Sequence, residues 1–502
     1  MAEIPPYLRE IQSRVEEYAR EYGLDFFKTN FIVLDYKTMN EVAAYGGFPS
    51  RYPHWRFGME YDRLSKGYTY GLSKIYELVI NNDPCYAYLL EGNSLTDQKL
   101  VIAHVMAHND FFKNNFAFQK TDRHMVDEMA NHAVRIRRAM EEFGVDPIES
   151  FIDVCLSVEN LIDIYSPFIK RDKIENDPDG GATRINSQEI HRFETKPYME
   201  SYINTPEYIQ RQRDKLQLKL DGAQRLPASP TRDVLGFLMH YAPLNKWERL
   251  ILETIREEAY YFAPQAMTKI MNEGWASYWH SRIMTEKLLD ASEVINYADV
   301  TSGVTYQARG QLNPYKLGLE LFRYIEERWD KGKFGREYDE CEDMVEKARW
   351  NKNTGLGREK IFEVRKHFCD VTFIDEFLTA EFIMERRFFA YDYNDNKKEY
   401  YISSREVKEI KDKLLFQLTN RGQPVIEVVD ANYQNRGELY LNHVHYGVDL
   451  ELPYATATLL NLYRIWKRPV NLRTIAKDKH MVLSYDGSEH TAQEVKPQEG
   501  LP

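Results

Sequence analysis

The segment Met271-Asn272-Glu273-Gly274-Trp275-Ala276-Ser277-Tyr278-Trp279-His280 sets one carboxylate and one imidazole about two helical turns apart in an otherwise apolar and aromatic stretch. Taking an ionised carboxylate out of water costs several kcal/mol unless a cation, a metal or a proton meets it. The fold must therefore bring a partner to Glu273. The best one lies far upstream, in His104-Val105-Met106-Ala107-His108, which spaces two imidazoles at i and i+4. On one face of a predicted helix, that spacing offers two ligands to a single divalent ion.

At 502 residues the chain has room for two or three domains, so core size does not limit it. Met1-Ala2-Glu3-Ile4-Pro5-Pro6 leads into a charged helix, unlike a signal peptide, and no run approaches the roughly 18 apolar residues of a membrane span. Cys85, Cys155, Cys341 and Cys369 lack paired spacing and are expected as free thiols in a reducing cytosol. The expected location is cytoplasmic. A formal charge of -12 argues against nucleic acid as a partner, because such binders normally carry a basic field.

The expected architecture is a mainly α N-terminal domain over 1–387, a smaller α+β C-terminal module over 388–486 and a disordered tail over 487–502. Ser94 and Asp97 form a predicted capping box ahead of the helix bearing His104 and His108. A second helix runs from about Asp122 to Phe143 and stops at Gly144. A polar excursion or connector spans 170–231, punctuated by Asp177-Pro178-Asp179-Gly180-Gly181 and Pro227-Ala228-Ser229-Pro230. Helices resume at Val234, with Pro264 expected in the first turn of the helix that carries Glu273. Beyond Arg387 the period changes, and strands are predicted near 388–393, 399–403, 424–430, 438–443 and 481–485, with helices near 404–419 and 451–466.

Two histidines from one helix and a glutamate from a later one form a gluzincin-type ligand set, with an open position for water. Zinc suits it first, and non-haem iron takes the same donors. Gly274, inside a helix, marks a close backbone approach, since Gly costs about 1 kcal/mol there relative to Ala. His280 falls on nearly the same face as Glu273, as a supporting donor or an alternative ligand. His132 and Glu128, on the next helix, are further alternatives, with a core histidine and a surface salt bridge as their plain roles. The usual peptidase motif places its base directly after the first histidine, and here Val105 stands there. Metal-dependent hydrolysis would need another base, for which Glu258, Glu257 and Asp110 are the candidates. Arg51, His54 and Arg56, in an aromatic Gly/Pro loop, could receive a carboxylate-bearing substrate or simply stack on their neighbours. There is no Walker-type loop and no nucleophile elbow.

Several long stretches together resemble the SpoVR family, the stage V sporulation protein R group. They are Ala44-Tyr45-Gly46-Gly47-Phe48-Pro49-Ser50-Arg51-Tyr52-Pro53-His54-Trp55, Ile75-Tyr76-Glu77-Leu78-Val79-Ile80-Asn81, His104 to Asn115, Thr268 to His280, Asn313-Pro314-Tyr315-Lys316-Leu317-Gly318 and Gly437-Glu438-Leu439. The resemblance covers nearly the whole chain. It implies a cytoplasmic role in building the peptidoglycan cortex of spores, or a link to a serine kinase and stress responses in bacteria that make no spores. It brings no settled enzymatic activity. Two classes of function therefore stand open: a metal-dependent hydrolase of a peptide or cell-wall precursor, and a non-catalytic scaffold that binds a kinase or cortex-assembly proteins.

Overall fold

Strand β1 (Thr29–Leu34) pairs in parallel with β3 (Cys85–Leu90), so the chain must cross over between them, and it does so through the helices Tyr36–Ala44 and Trp55–Thr69. Strand β2 (Glu77–Ile80) runs antiparallel to β3, giving the order β1-β3-β2. The computed structural model describes residues 4–69, 77–169, 199, 204–211, 226–307, 311–394 and 398–496. The 170–231 excursion falls for the most part outside the described residues, as do Ile75 and Tyr76.

Immediately after β3 the chain enters the histidine helix, Leu95–Asn114. Its start is the predicted capping box: Ser94 Oγ accepts from the Asp97 amide at 3.1 Å, and Asp97 accepts from the Ser94 amide at 3.2 Å. Such a cap contributes about 1 kcal/mol. The helix is buried on every side: apolar Val101, Ile102, Ala103, Val105, Met106, Ala107 and Phe111 are covered, and so are polar Lys99, His104, His108, Asn109 and Asp110. It packs against the glutamate helix, Lys269–Ile283, whose other neighbour is the helix Pro314–Asp330.

Backbones meet at that second contact. A Cβ on Gly274 would lie 2.4 Å from Gly318 Cα, and one on Gly318 would lie 2.2 Å from the Ile270 carbonyl oxygen. The close approach expected at Gly274 is thus a glycine-to-glycine contact between two helices. Asp370 fixes the head of the glutamate helix by accepting from the amides of Ile270 at 2.8 Å and Met271 at 2.9 Å, two donors that helix geometry leaves without intrahelical partners. Pro264 lies elsewhere than expected. It sits inside the preceding helix, Lys246–Met267, and the glutamate helix begins only at Lys269. The carbonyl of Pro264 accepts from Thr268 Oγ1 at 2.7 Å, one turn on, where the helix ends.

The chain divides into two compact units, each built from two segments: 1–145 with 260–422, and 146–259 with 423–502. From sequence alone a single cut falls at 387. The strands β4 (Ala390–Asn394) and β5 (Glu399–Ser404), which suggest that cut, form a separate two-stranded sheet within the first unit. In the second unit a five-stranded sheet has the order β10-β9-β8-β7-β6. Its strands are β6 (Val425–Tyr433), β7 (Glu438–Val444), β8 (Val470–Ala476), β9 (Lys479–Tyr485) and β10 (His490–Glu494). Only β7 and β8 pair in parallel, and the helix Leu452–Trp466 makes the crossover between them. The expected tail from 487 is ordered in part: β10 pairs antiparallel with β9, so His490–Glu494 take backbone partners that their polar side chains do not advertise. A mainly α region followed by a smaller α+β module describes the chain.

Candidate metal centre

One turn separates His104 from His108 on the histidine helix, and their rings stand at 85° with centroids 4.5 Å apart. Glu273 reaches both from the glutamate helix. Its Oε2 lies 3.6 Å from His104 Nε2 and 3.5 Å from His108 Nε2. Among the described residues, these three form the one group of His, Cys, Asp or Glu side chains whose ligand atoms all lie within 4.8 Å of one another. Both separations are longer than a normal hydrogen bond, and Glu273 Oε2 is shielded from solvent without a hydrogen-bond partner. They come close to the roughly 3.3 Å edge of a tetrahedron drawn with metal–ligand bonds of about 2.0–2.1 Å. The donor set therefore fits a divalent ion.

A second layer of contacts orients the rings. His108 Nδ1 donates to Asn272 Oδ1 at 2.9 Å, and His104 Nδ1 lies 2.9 Å from His280 Nδ1. Each inward-facing Nε2 is thus held from behind, as second partners hold metal-bound histidines. Burial would raise Glu273, but His104 and His108 outweigh it and hold its carboxyl well below the usual range. Burial, reinforced by His108, lowers His104, and burial with the two neighbouring imidazoles holds His280 well below the ordinary histidine value. His108 goes the other way: burial opposes its charge, but Glu273, Asn272 and Glu77 together raise it. The result is a carboxylate held toward its anionic form facing one ring, His104, pushed toward its neutral form and another, His108, pushed toward its charged form.

A cavity of about 670 Å³ opens beside the cluster. Its wall includes His104, His280, Glu77, Tyr315, Ser277 and Arg323. Glu77 enters from the start of β2, and burial, with a contribution from Glu273, pushes its carboxyl up to about 7. The Tyr315 ring stacks on His104 with centroids 6.3 Å apart, and burial followed by Glu273 and Glu77 raises its hydroxyl. Sequence spacing does not select Glu77, Tyr315 or Asn272. A signal was present for all three, because each lies in a stretch that carries the family resemblance.

The other candidates do not belong to the three-residue group. Asp110 is fully buried with both oxygens engaged: Oδ2 accepts from Trp275 Nε1 at 2.8 Å, and Oδ1 accepts from the Asp25 amide at 2.8 Å and from Arg365 at 3.2 Å. It locks the helices together and does not face the cavity. Removing one partner of a buried ion pair costs about 3–5 kcal/mol, so Asp110→Ala is expected to lower the denaturation midpoint sharply, as read by urea titration. Glu258 belongs to the second unit, as does Glu257. His132 is buried on the helix Met125–Phe143, and Glu128 accepts from Asn131 at 3.3 Å; neither joins the three-residue group. Arg51 stacks over Tyr52 and Phe57 at 5.3 and 5.1 Å, and Arg56 lies 4.7 Å over Phe57 and donates to Tyr52 Oη at 3.3 Å. His54 packs edge-on against Phe57. These three side chains build an aromatic cluster, and none of them lines the cavity.

The comparisons with known proteins agree along the chain. Residues 4–423 match the family described as SpoVR like protein, and residues 424–477 match the SpoVR-like C-terminal domain. The second match begins at 424, one residue after the second unit resumes at 423. A relative from Escherichia coli (strain K12), the "Uncharacterized protein YcgB", is 28% identical over 493 residues, covering 93% of this chain and 91% of the relative. No solved structure matches. No helix among the described residues is long and apolar enough to cross a membrane. With both parts of the chain matched in order, the protein belongs to the SpoVR family.

Proposed function

We propose that this protein is a metal-dependent hydrolase of amide bonds, acting in the cytoplasm on a peptide or a cell-wall precursor during spore cortex formation. The observation that carries the reading is the shielded Glu273 Oε2, which makes no hydrogen bond yet lies 3.5–3.6 Å from two histidine Nε2 atoms. A divalent ion held by His104, His108 and Glu273 satisfies all three donors at once. Zinc is the first choice, and iron shares the ligand set. In this reading His104 Nδ1 carries its proton toward His280 and His108 Nδ1 carries its proton toward Asn272, so both Nε2 lone pairs face the ion. Three protein ligands would leave an ion room for a further donor, and one of the three, His104, lines the cavity. The ion, when bound, supplies Lewis-acid polarisation of a carbonyl and a water of lowered pKa. The process comes from the family name, and the chemistry comes from the donor set.

Two measurements test it. Protein purified without chelator is expected to hold about one divalent ion per chain by inductively coupled plasma mass spectrometry. Asn272→Leu, which keeps the ligands but removes the acceptor behind His108, is expected to weaken metal affinity about 10–100-fold. An Asn272→Leu protein that binds zinc as tightly as wild type would remove the orienting role assigned to that side chain.

A further inference from the structure

The proposed hydrolase lacks a carboxylate directly after its first histidine, so the proton of the attacking water needs another acceptor. Glu77 is one of the carboxylates that share the cavity wall with His104, His280 and Tyr315. Unlike Asp110, it makes no hydrogen bond or ion pair with another described residue, and it comes from a sheet strand and not from the histidine helix. Its electrostatic neighbours are His108 and Glu273. Tyr315 lines the same cavity, with its ring stacked on His104. A strand and a helix thus bring a carboxyl group and a phenol to the cavity wall that His104 also lines.

We propose that Glu77 is the general base of this site and that Tyr315 is the donor to the oxygen that becomes negative. The inference rests on the metal reading above. Glu77 takes a proton from water as the water oxygen bonds to the carbonyl carbon, and the carbonyl π pair moves onto its oxygen, where Tyr315 donates a hydrogen bond. As the C–N bond breaks, that pair returns to the carbonyl and Glu77 passes its proton to the departing nitrogen. One water is consumed, a carboxylic acid and an amine are formed, and no oxidant or reductant is required. Asp97, Glu320 and Glu326 also line the cavity, but Glu326 accepts from Tyr278 and Arg282, Glu320 pairs with Arg386, and Asp97 is held in the helix cap.

The test uses cobalt(II) as the metal and acetohydroxamate as the probe, because a hydroxamate chelates an open metal site and gives its proton to an adjacent base. Cobalt-loaded wild type is expected to change its visible spectrum on titration with acetohydroxamate. Glu77→Gln is expected to keep one cobalt per chain and bind the probe at least about tenfold more weakly. Tyr315→Phe is expected to weaken probe binding by a smaller factor, again with full cobalt. Glu77→Asp, which keeps the charge, is expected to recover part of the affinity and guards against a folding defect in Glu77→Gln. Equal probe affinity in wild type and a folded, cobalt-loaded Glu77→Gln would overturn the assignment, as would a loaded wild type that binds no probe. Wild type that retains no cobalt overturns the metal reading itself, a result visible before any probe is added.

Discussion

Gly318→Ala is expected to destabilise the first unit by about 3 kcal/mol or more, at the upper end of overpacking effects. The added methyl would sit 2.2 Å from the Ile270 carbonyl oxygen and 2.7 Å from Gly274 Cα. Both are backbone atoms, which cannot swing aside as a side chain can. Relief requires the helices Lys269–Ile283 and Pro314–Asp330 to separate, and the first of these carries Glu273. Urea denaturation followed by tryptophan fluorescence measures the loss, since Trp275 and Trp279 lie fully buried on the same helix. Gly303→Ala is the control: a Cβ there meets nothing within 4 Å, and a helical Gly-to-Ala change in open space stabilises by about 0.5–1 kcal/mol. A Gly318→Ala protein as stable as wild type would show that the two helices do not approach this closely.

The second large effect follows from the proposed metal site. Glu273→Gln keeps the size of the side chain and removes its charge, and it is expected to lower zinc affinity by more than about 100-fold, beyond the loss caused by a supporting residue. Ligand binding to the folded state alone stabilises by about 4 kcal/mol when the ligand stands at 1,000 times its dissociation constant. Wild type is therefore expected to melt at a lower temperature after chelator treatment, whereas Glu273→Gln should melt alike with and without chelator. His104→Ala should behave in the same way while keeping the fold. The scaffold alternative makes the opposite forecast. Without an ion, Glu273 is a buried anion beside two imidazoles, chelator changes nothing, and His104→Ala either unfolds the protein or is silent.

How far the site could be read from sequence depends on whether its signal was local. Spacing at i and i+4 put His104 and His108 on one face, and the cost of burying Glu273 required a distant partner; both are properties of short segments. The same rule, applied further along the helix, excludes Asp110. It stands two residues beyond His108, roughly 200° around the axis, and so turns toward Arg365 and Trp275. Glu77 and Tyr315 reach the site through tertiary structure alone. Twenty-seven residues separate Glu77 from His104, and no helical period links a strand residue to a helix face. The domain boundary was hidden for a related reason. A change of period near 390 is real, since β4 and β5 are there, but local pattern does not reveal which distant segment a strand joins.

The interleaving of the two units bears on how the protein is made. The first cannot close until the chain through 422 has been synthesised, and residues 146–259 must wait for the segment that follows 423 before their own unit is complete. Neither half can therefore finish folding while much of the polypeptide remains on the ribosome. The histidine helix leaves the ribosome early, but Asp370, which anchors the head of the glutamate helix, emerges about 266 residues after His104. An ion captured at this centre would thus be loaded only after residue 370 has emerged, and a stop codon between Glu273 and Asp370 would leave all three side chains in the chain without that anchor.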